Sequence, residues 1–275
     1  MKLGLTLPSF VDDPDVPIAV AQAADAHGVD GVFAYDHLFR YSRTGEKRPA
    51  LECFVLLGAV AAETERVKLG SLVARATLRP AAVLTNSFDS VQRVSGGRLI
   101  AGIGAGDTES RDEMVTFGYE FGSVETRLVE LESAVVSAQG RGYPVWVGGH
   151  ARLVGDIAAE HADGWNHWGG TPAQFAQDLA SLHAKVIDND WEPERFVATW
   201  GGLVLLGESE ADAEQKRQRI DPAPDVVVGG PERVAEALRA FGEAGAQWCV
   251  CGPADPTNPD NAAILGEVIA PLVRD

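Results

Sequence analysis

Three short stretches of the chain combine residue types that could do chemistry. The first is Asp36-His37, which follows the apolar run GVFAY. Histidine titrates near neutrality and so suits proton transfer, and an adjacent carboxylate could orient it or hold its charge. The dipeptide reads equally as an aspartate capping the next loop beside a solvated histidine, because neighbouring side chains on a strand point to opposite faces. The second stretch is GIGAGD (102–107), whose glycines let the backbone approach a flat or charged ligand closely. It fits G-x-G-x-x-G only in part and no helix follows at once, so a Rossmann dinucleotide loop is not expected. Asp107 could set an acid against a cofactor ring, or it could be a plain turn residue. The third stretch is GGHARL (148–153), where a strand leads into a helix. Free N–H groups at a helix start bind phosphate without many cations, although an ordinary βα turn uses Gly-Gly just as well.

Other chemistries find no support. HExxH, paired CxxC and clustered carboxylates are missing, so no catalytic metal is expected. GxSxG is missing too, and no serine stands out as a nucleophile. The tryptophans fall mostly in or beside strands, where packing is the expected role, with Trp168 as the exception.

The elements that must position these residues follow from a recurring unit: an Ala-rich helix, a Gly near its end, then a short apolar strand. It occurs as AVAQAADAHGVDGVFAYD (19–36), GDIAAEHADGWNHWG (155–169) and VAEALRAFGEAGAQWCVCG (234–252). Gly accepts the left-handed conformation that ends helices, so Gly28 and Gly245 read as helix stops leading into strands. Extending this punctuation predicts strands near 2–7, 31–35, 67–73, 98–103, 144–148, 163–167, 197–205 and 247–251. Helices are predicted near 14–27, 50–63, 80–94, 123–138, 151–161, 172–187, 231–244 and 260–273. Strands alternating with helices at about 34 residues per unit argue for a parallel sheet covered by crossovers. The near-continuous apolar runs VKLGSLVA, RLIAGIGAG and YPVWVGG suit strands buried on both faces.

Eight such units suit an α/β fold of the (β/α)8 TIM-barrel type better than an open sheet, as one domain over 1–275. The working face of such a barrel is the C-terminal ends of its strands. That face would collect Pro8-Ser9, Asp36-His37, Ser71 to Ala74 (Ser71, Leu72, Val73 and Ala74), Gly104 to Asp107 (with Ala105), Gly148 to His150, Asn166 to Trp168, Gly201-Gly202 and Cys251-Gly252. Loop 38–49 is long and basic and loop 105–122 long and polar, lengths that in a compact domain are usually functional or mobile.

Composition narrows the function classes. A hydrophobic content of 45% supplies an ordinary globular core, and a net charge of −17 would repel phosphate backbones and anionic membranes. Neither nucleic acid nor membrane is therefore an expected partner, and a small-molecule substrate is. No apolar stretch approaches the roughly twenty residues that span a bilayer, and Met1-Lys2 leads into LGLTL and Pro8 without a signal-peptide core. The expected location is the cytoplasm. Cys53, Cys249 and Cys251 cannot build a disulfide framework; they read as buried thiols, with a redox pair at 249 and 251 as the alternative.

Taken in order, these segments resemble the luciferase-like flavin and deazaflavin oxidoreductases. The likeness is carried by AYDHL (34–38), LGSLVARATLRPAAV (69–83), RVSGGRLIAGIGAGD (93–107), PVWVGG (144–149), ADGWN (162–166) and VVGGPERVAEALRAFGEAGAQW (227–248). The resemblance implies a (β/α)8 barrel and a choice between coenzyme F420 and FMN as cofactor. Asp36 and His37 match an Asp-His pair beside the deazaflavin in F420-using relatives, which makes His37 the candidate for proton transfer. Ser71-Leu72 matches a place where such enzymes often have a non-proline cis peptide against the ring. Asp107 matches a carboxylate of sugar-phosphate dehydrogenases in the family, Tyr41 an aromatic substrate contact of the same subgroup, and Gly148, Gly149 and His150 the segment nearing the cofactor phosphate. A homodimer is also implied.

The chain departs from that pattern where an insertion follows the helix ending near Ala138: only QGRGY (139–143) remains. The segment after the seventh strand is short as well, so substrate class does not carry over. The leading expectation is an F420-dependent oxidoreductase moving a hydride to or from a small organic substrate. The alternatives are an FMN-dependent monooxygenase and a family member that only binds or stores its cofactor.

Overall fold

The computed structural model describes residues 1–42, 45–189, 192–223 and 225–274. Arg43 and Thr44 of the basic loop and Trp191 therefore lie outside the described residues. Eight parallel strands close on themselves in the order β1 (Lys2–Thr6), β2 (Gly31–Ala34), β3 (Lys68–Ser71), β4 (Leu99–Gly104), β5 (Val145–Gly148), β6 (Gly164–Trp168), β7 (Val197–Leu206) and β8 (Trp248–Pro253), with β8 pairing back onto β1. Every predicted strand is present, displaced by at most two residues at an end. Gly28 (φ +85°) and Gly245 (φ +106°) take the left-handed conformation expected of helix stops.

The helices between them are α1 (Asp15–Ala26), α2 (Cys53–Glu63), α3 (Ala81–Val94), α4 (Val124–Ala138), α5 (Arg152–His161), α6 (Pro172–Asp188) and α7 (Pro231–Glu243). The predicted final helix starts as α-helix over Asp260–Ala263, widens to a π-helix over Ile264–Ile269 and closes as α-helix over Ala270–Arg274. The helices press small and branched side chains, such as Val20, Ala21 and Ala24 of α1, onto the outside of the barrel. Inside it a second cluster, Phe33, Ile100, Trp146, Trp248 and Val250, fills the axis, with the Phe33 and Trp146 rings 5.8 Å apart and Trp146 and Trp248 5.5 Å apart. Glycine makes that filling possible, since a Cβ on Gly4 or Gly70 would come within 2.7 Å of the Phe33 ring. A plugged axis leaves the C-terminal mouth as the place for a ligand.

The chain folds further than periodicity revealed in three places. The basic loop forms an antiparallel hairpin, Phe39–Tyr41 with Lys47–Pro49. The polar loop contains a short helix, Arg111–Thr116, and the stretch after β7 holds a helix, Glu210–Ile220, and a strand, Val227–Gly229, on the end of β7. Each is too short or too polar to show an apolar period. All three cysteines are buried free thiols, and burial pushes Cys251 up to about 12. Among the described residues, no helix is long and apolar enough to cross a membrane.

Candidate active site

A cavity of about 430 Å³ opens at the C-terminal ends of the strands. That volume falls within the range of about 300–1,000 Å³ that small-molecule and cofactor sites occupy. One wall is made by the ends of β2 and β3 and by the helix Arg111–Thr116 behind them. Asp36 is almost fully buried and turns away from His37. Its carboxylate takes two hydrogen bonds from Arg79, at 2.7 and 3.0 Å, and one from the Arg75 backbone N–H at 2.9 Å. Its own carbonyl accepts from Arg75 Nε at 2.8 Å. Of the two readings of this dipeptide, the structure therefore separates the side chains, as alternation on an extended backbone requires.

His37 finds a different carboxylate. Its Nδ1 lies 2.7 Å from Glu113 Oε1, which also accepts from Arg75 Nη1 at 2.8 Å. Glu113 Oε2 accepts the backbone N–H of Leu38 at 2.6 Å and of Phe39 at 3.3 Å. Burial by itself would raise this acid. The bonds from His37 and Leu38, then the charges of His37 and Arg75, outweigh it and hold Glu113 at about 2. An ionised Glu113 selects the tautomer with the proton on Nδ1 and leaves His37 Nε2 without a protein partner among the described residues.

The opposite wall is main chain and small side chains: Gly104 at the end of β4 with Ala105 and Gly106 after it, and Gly148 at the end of β5 with Gly149 and Ala151 in the turn that follows. Leu72 and Val73 lie between the two walls, joined by a cis peptide bond. The Val73 side chain fits only because Gly148 has none, since a Cβ there would sit 2.6 Å from Val73 Cγ1. Gly149 takes φ +134°, and Ala151 stands at the N-cap of α5 with no side chain capping the first N–H groups of the helix. His150 also lines the cavity, with its ring 5.5 Å from that of His167. His167 is spent on structure: its two nitrogens lie 3.1 Å from the Gly169 carbonyl and 3.1 Å from Asp178. Burial lowers its pKa, against the pull of Asp178.

Tyr35 and Trp168, with rings 6.2 Å apart at 78°, close the remaining side. Tyr35 is held by its surroundings: burial raises its pKa, opposed by a hydrogen bond with Thr6 and the charge of Arg40.

Of the residues expected at the site, Asp36, His37, Leu72, Val73, Gly104, Ala105, Asp107, Gly148, Gly149, His150 and Trp168 line the cavity. Ser71, Ala74 and Tyr41 do not. Ser71 is wholly buried and donates to the Gly102 carbonyl at 2.6 Å, because alternation turns it to the barrel wall. Ala74 is consumed in a short extension of β3 paired with Ile103. Tyr41 is 56% exposed and packs on Phe39, since the hairpin turns its ring away from the mouth. The cis bond is Leu72–Val73, one residue beyond Ser71-Leu72. Asp107 faces solvent and caps the turn that follows, accepting from Ser110 N–H at 3.0 Å. Asn166, expected at a strand end, lines it too, and Tyr35, Arg75 and Glu113 are among the additions. Glu113 left a weak trace, as an acid within the polar loop already marked for its length.

Fold and cavity together define a barrel protein built to hold a sizeable ligand at its strand ends. The family model described as luciferase-like monooxygenase matches residues 1–135. An F420-dependent glucose-6-phosphate dehydrogenase of Nakamurella multipartita is 26% identical, over 93% of this chain and 91% of that protein. Another of that name, from Beutenbergia cavernae, is 35% identical over 39% of this chain and 32% of its own. Among solved structures, an F420-dependent secondary alcohol dehydrogenase in complex with an F420-acetone adduct superposes with TM-score 0.83, at 16% identity, over 100% of this chain and 99% of that one. An EDTA monooxygenase from Chelativorans superposes with TM-score 0.81 at 13% identity, over 100% and 93% of the two chains. The first 135 residues of the chain are thus similar to the luciferase-like family, and its barrel is that of the F420-dependent and monooxygenase structures it superposes on.

Proposed function

We propose that this protein is an F420-dependent oxidoreductase, with His37 as its proton-transfer residue and a small organic alcohol or carbonyl compound as substrate. The observation that carries the reading is the ionised Glu113, which fixes His37 so that its second nitrogen is available at the cavity. The cavity suits the cofactor on three counts. Leu72, Val73 and the glycine-rich wall offer a slot without long side chains for a flat ring. The uncapped start of α5, beside Gly149 and His150, offers N–H groups to a phosphate. Arg75 reaches the cavity lining from a buried position and keeps one unpartnered nitrogen, Nη2.

Bound there, F420 supplies a carbon that gives or takes a hydride, which confines the chemistry to two-electron transfer. The residues do the rest. His37 Nε2 takes the proton from the substrate hydroxyl, or returns it to the carbonyl oxygen in the reverse direction. Glu113 is available to hold the positive charge that His37 gains. Tyr35, Leu72 and Trp168 shield the reacting centre from water, and Asp36 fixes Arg75 and Arg79 without touching substrate. Cytoplasmic location, a homodimer and the lack of nucleic-acid or membrane partners belong to the same proposal.

Titrating the purified protein with oxidised and reduced F420 and FMN tests it. F420 should bind and exchange electrons with a secondary alcohol or ketone. Tight FMN binding with oxygen consumption would replace this reading with the monooxygenase, the activity the family's description names. Binding of F420 without turnover of any alcohol or carbonyl would favour a cofactor-storage protein.

A further inference from the structure

The hairpin that follows β2 is positively charged in a protein whose net charge is −17. Arg40 and Arg48 stand directly opposite each other in its register. Like charges in that position repel, and directly opposed residues share one face of the ribbon. The face is identifiable. Phe39 and Tyr41 point to the other side, where Phe39 stacks on Phe117 and Lys47 lies 3.9 Å over the Phe39 ring. Arg40 instead lies 4.3 Å over the ring of Phe10, which in turn packs 5.6 Å from His37 and 6.4 Å from Tyr35. Arg40 therefore stands one ring away from His37, just outside the residues that line the cavity. Among the described residues no carboxylate lies within ion-pair distance of it, while Arg48 has only the exposed Glu46 at 3.5 Å.

Nothing in the fold of the hairpin needs this pairing, since backbone hydrogen bonds hold the ribbon whatever stands at 40 and 48. Burial, and then the charge of Arg48, lower the basicity of Arg40. An anion placed between the two guanidiniums would relieve both effects, and guanidinium matches the oxygens of a carboxylate or phosphate in pairs. Resting on the oxidoreductase reading, we propose that Arg40 and Arg48 form an anion subsite beside the cavity, which selects substrates carrying a carboxylate or phosphate away from the carbon that reacts near His37. The cofactor's own acidic tail is the competing source of such an anion, but the backbone groups suited to it lie at the start of α5, on the opposite wall.

The test compares matched pairs of alcohols with and without an anionic group: 2-butanol against 3-hydroxybutyrate, and glucose against glucose 6-phosphate. Binding is read from tryptophan fluorescence, since Trp168 lines the cavity, and in parallel F420 affinity is measured on its own. At least one anionic member should bind about tenfold more tightly than its neutral partner, as expected for a charge-assisted hydrogen bond at a partly exposed site. That preference should fall as salt is raised. Arg40→Gln with Arg48→Gln should abolish it while F420 affinity stays within about twofold. Equal binding within both pairs, or a preference that survives the double substitution, overturns the subsite. Weakened F420 binding with no preference among the alcohols assigns the anion to the cofactor and overturns it likewise. If the protein takes FMN and still prefers the anionic alcohols, the subsite stands and the F420 reading falls.

Discussion

The two walls of the cavity are built by opposite means. On the β2–β3 side, Asp36, His37, Arg75, Arg79 and Glu113 hold one another through side-chain bonds that join positions 38 to 76 residues apart in the chain. On the β5 side, Gly148, Gly149 and Ala151 present main chain, and what matters is the side chains they lack. The first wall fixes charge in place before any ligand arrives, which is how a site obtains electrostatic effects without reorganising during reaction. The second leaves space and backbone donors. The contrast predicts that substitutions on the charged wall damage stability and chemistry, while those on the glycine wall act on cofactor binding.

The largest effect should follow removal of the centre of the charged wall. Glu113→Ala leaves Arg75 buried without its carboxylate and two backbone N–H groups without an acceptor. Destabilisation of about 3 kcal/mol or more is expected, as for other broken buried ion pairs, and urea unfolding measures it. A loss below about 1 kcal/mol would mean that this wall is not held by its charges.

His37→Ala should then separate chemistry from binding. Turnover falls about 100-fold, the usual weight of a general acid or base, while F420 affinity stays within about threefold. Unchanged turnover on an identified substrate would remove His37 from the mechanism.

Gly148→Ala probes the other wall. The added methyl meets Val73, so about 1–3 kcal/mol of overpacking is expected, and Val73 should shift into the slot. F420 affinity should drop by about tenfold with pH dependence unaltered. A variant that binds F420 normally would contradict the role given to this wall.

Acid provides a fourth measurement. The carboxyl of Glu113 is depressed from 4.5 to about 2 in the folded protein, so its contribution is fully present above 4.5 and disappears as pH falls through about 2. Denaturant midpoints should therefore decline from about pH 4.5 downward, and Glu113→Gln should flatten part of that decline. The smallest effect belongs to Tyr41→Ala. The ring lies outside the cavity, so turnover should stay within about twofold of the parent.

How much of this was legible depended on the range of the interactions. The barrel was readable because each βα unit repeats a local signal, an apolar run closed by a glycine such as Gly28 or Gly245. The glycine wall was readable for the same reason, and Gly104, Gly148 and Gly149 lie where strand ends were expected. The charged wall was only half readable. Asp36-His37 stood out as a pair, yet its members serve different partners. Glu113 lies in a six-residue helix inside a polar loop, with no periodicity to mark it. The cis bond fell one residue away from its expected place, and Ser71 turned to the wall because a shift of one residue on a strand exchanges its two faces.

The sequence by itself determined the closed barrel and the end of it that carries the cavity, because both are written in local patterns repeated along it. Tertiary structure alone decided that Asp36 answers to Arg79, that His37 answers to Glu113 and that Arg40 faces Phe10. Those pairings arise where separate loops converge on one mouth, and the geometry of closure selects the partners.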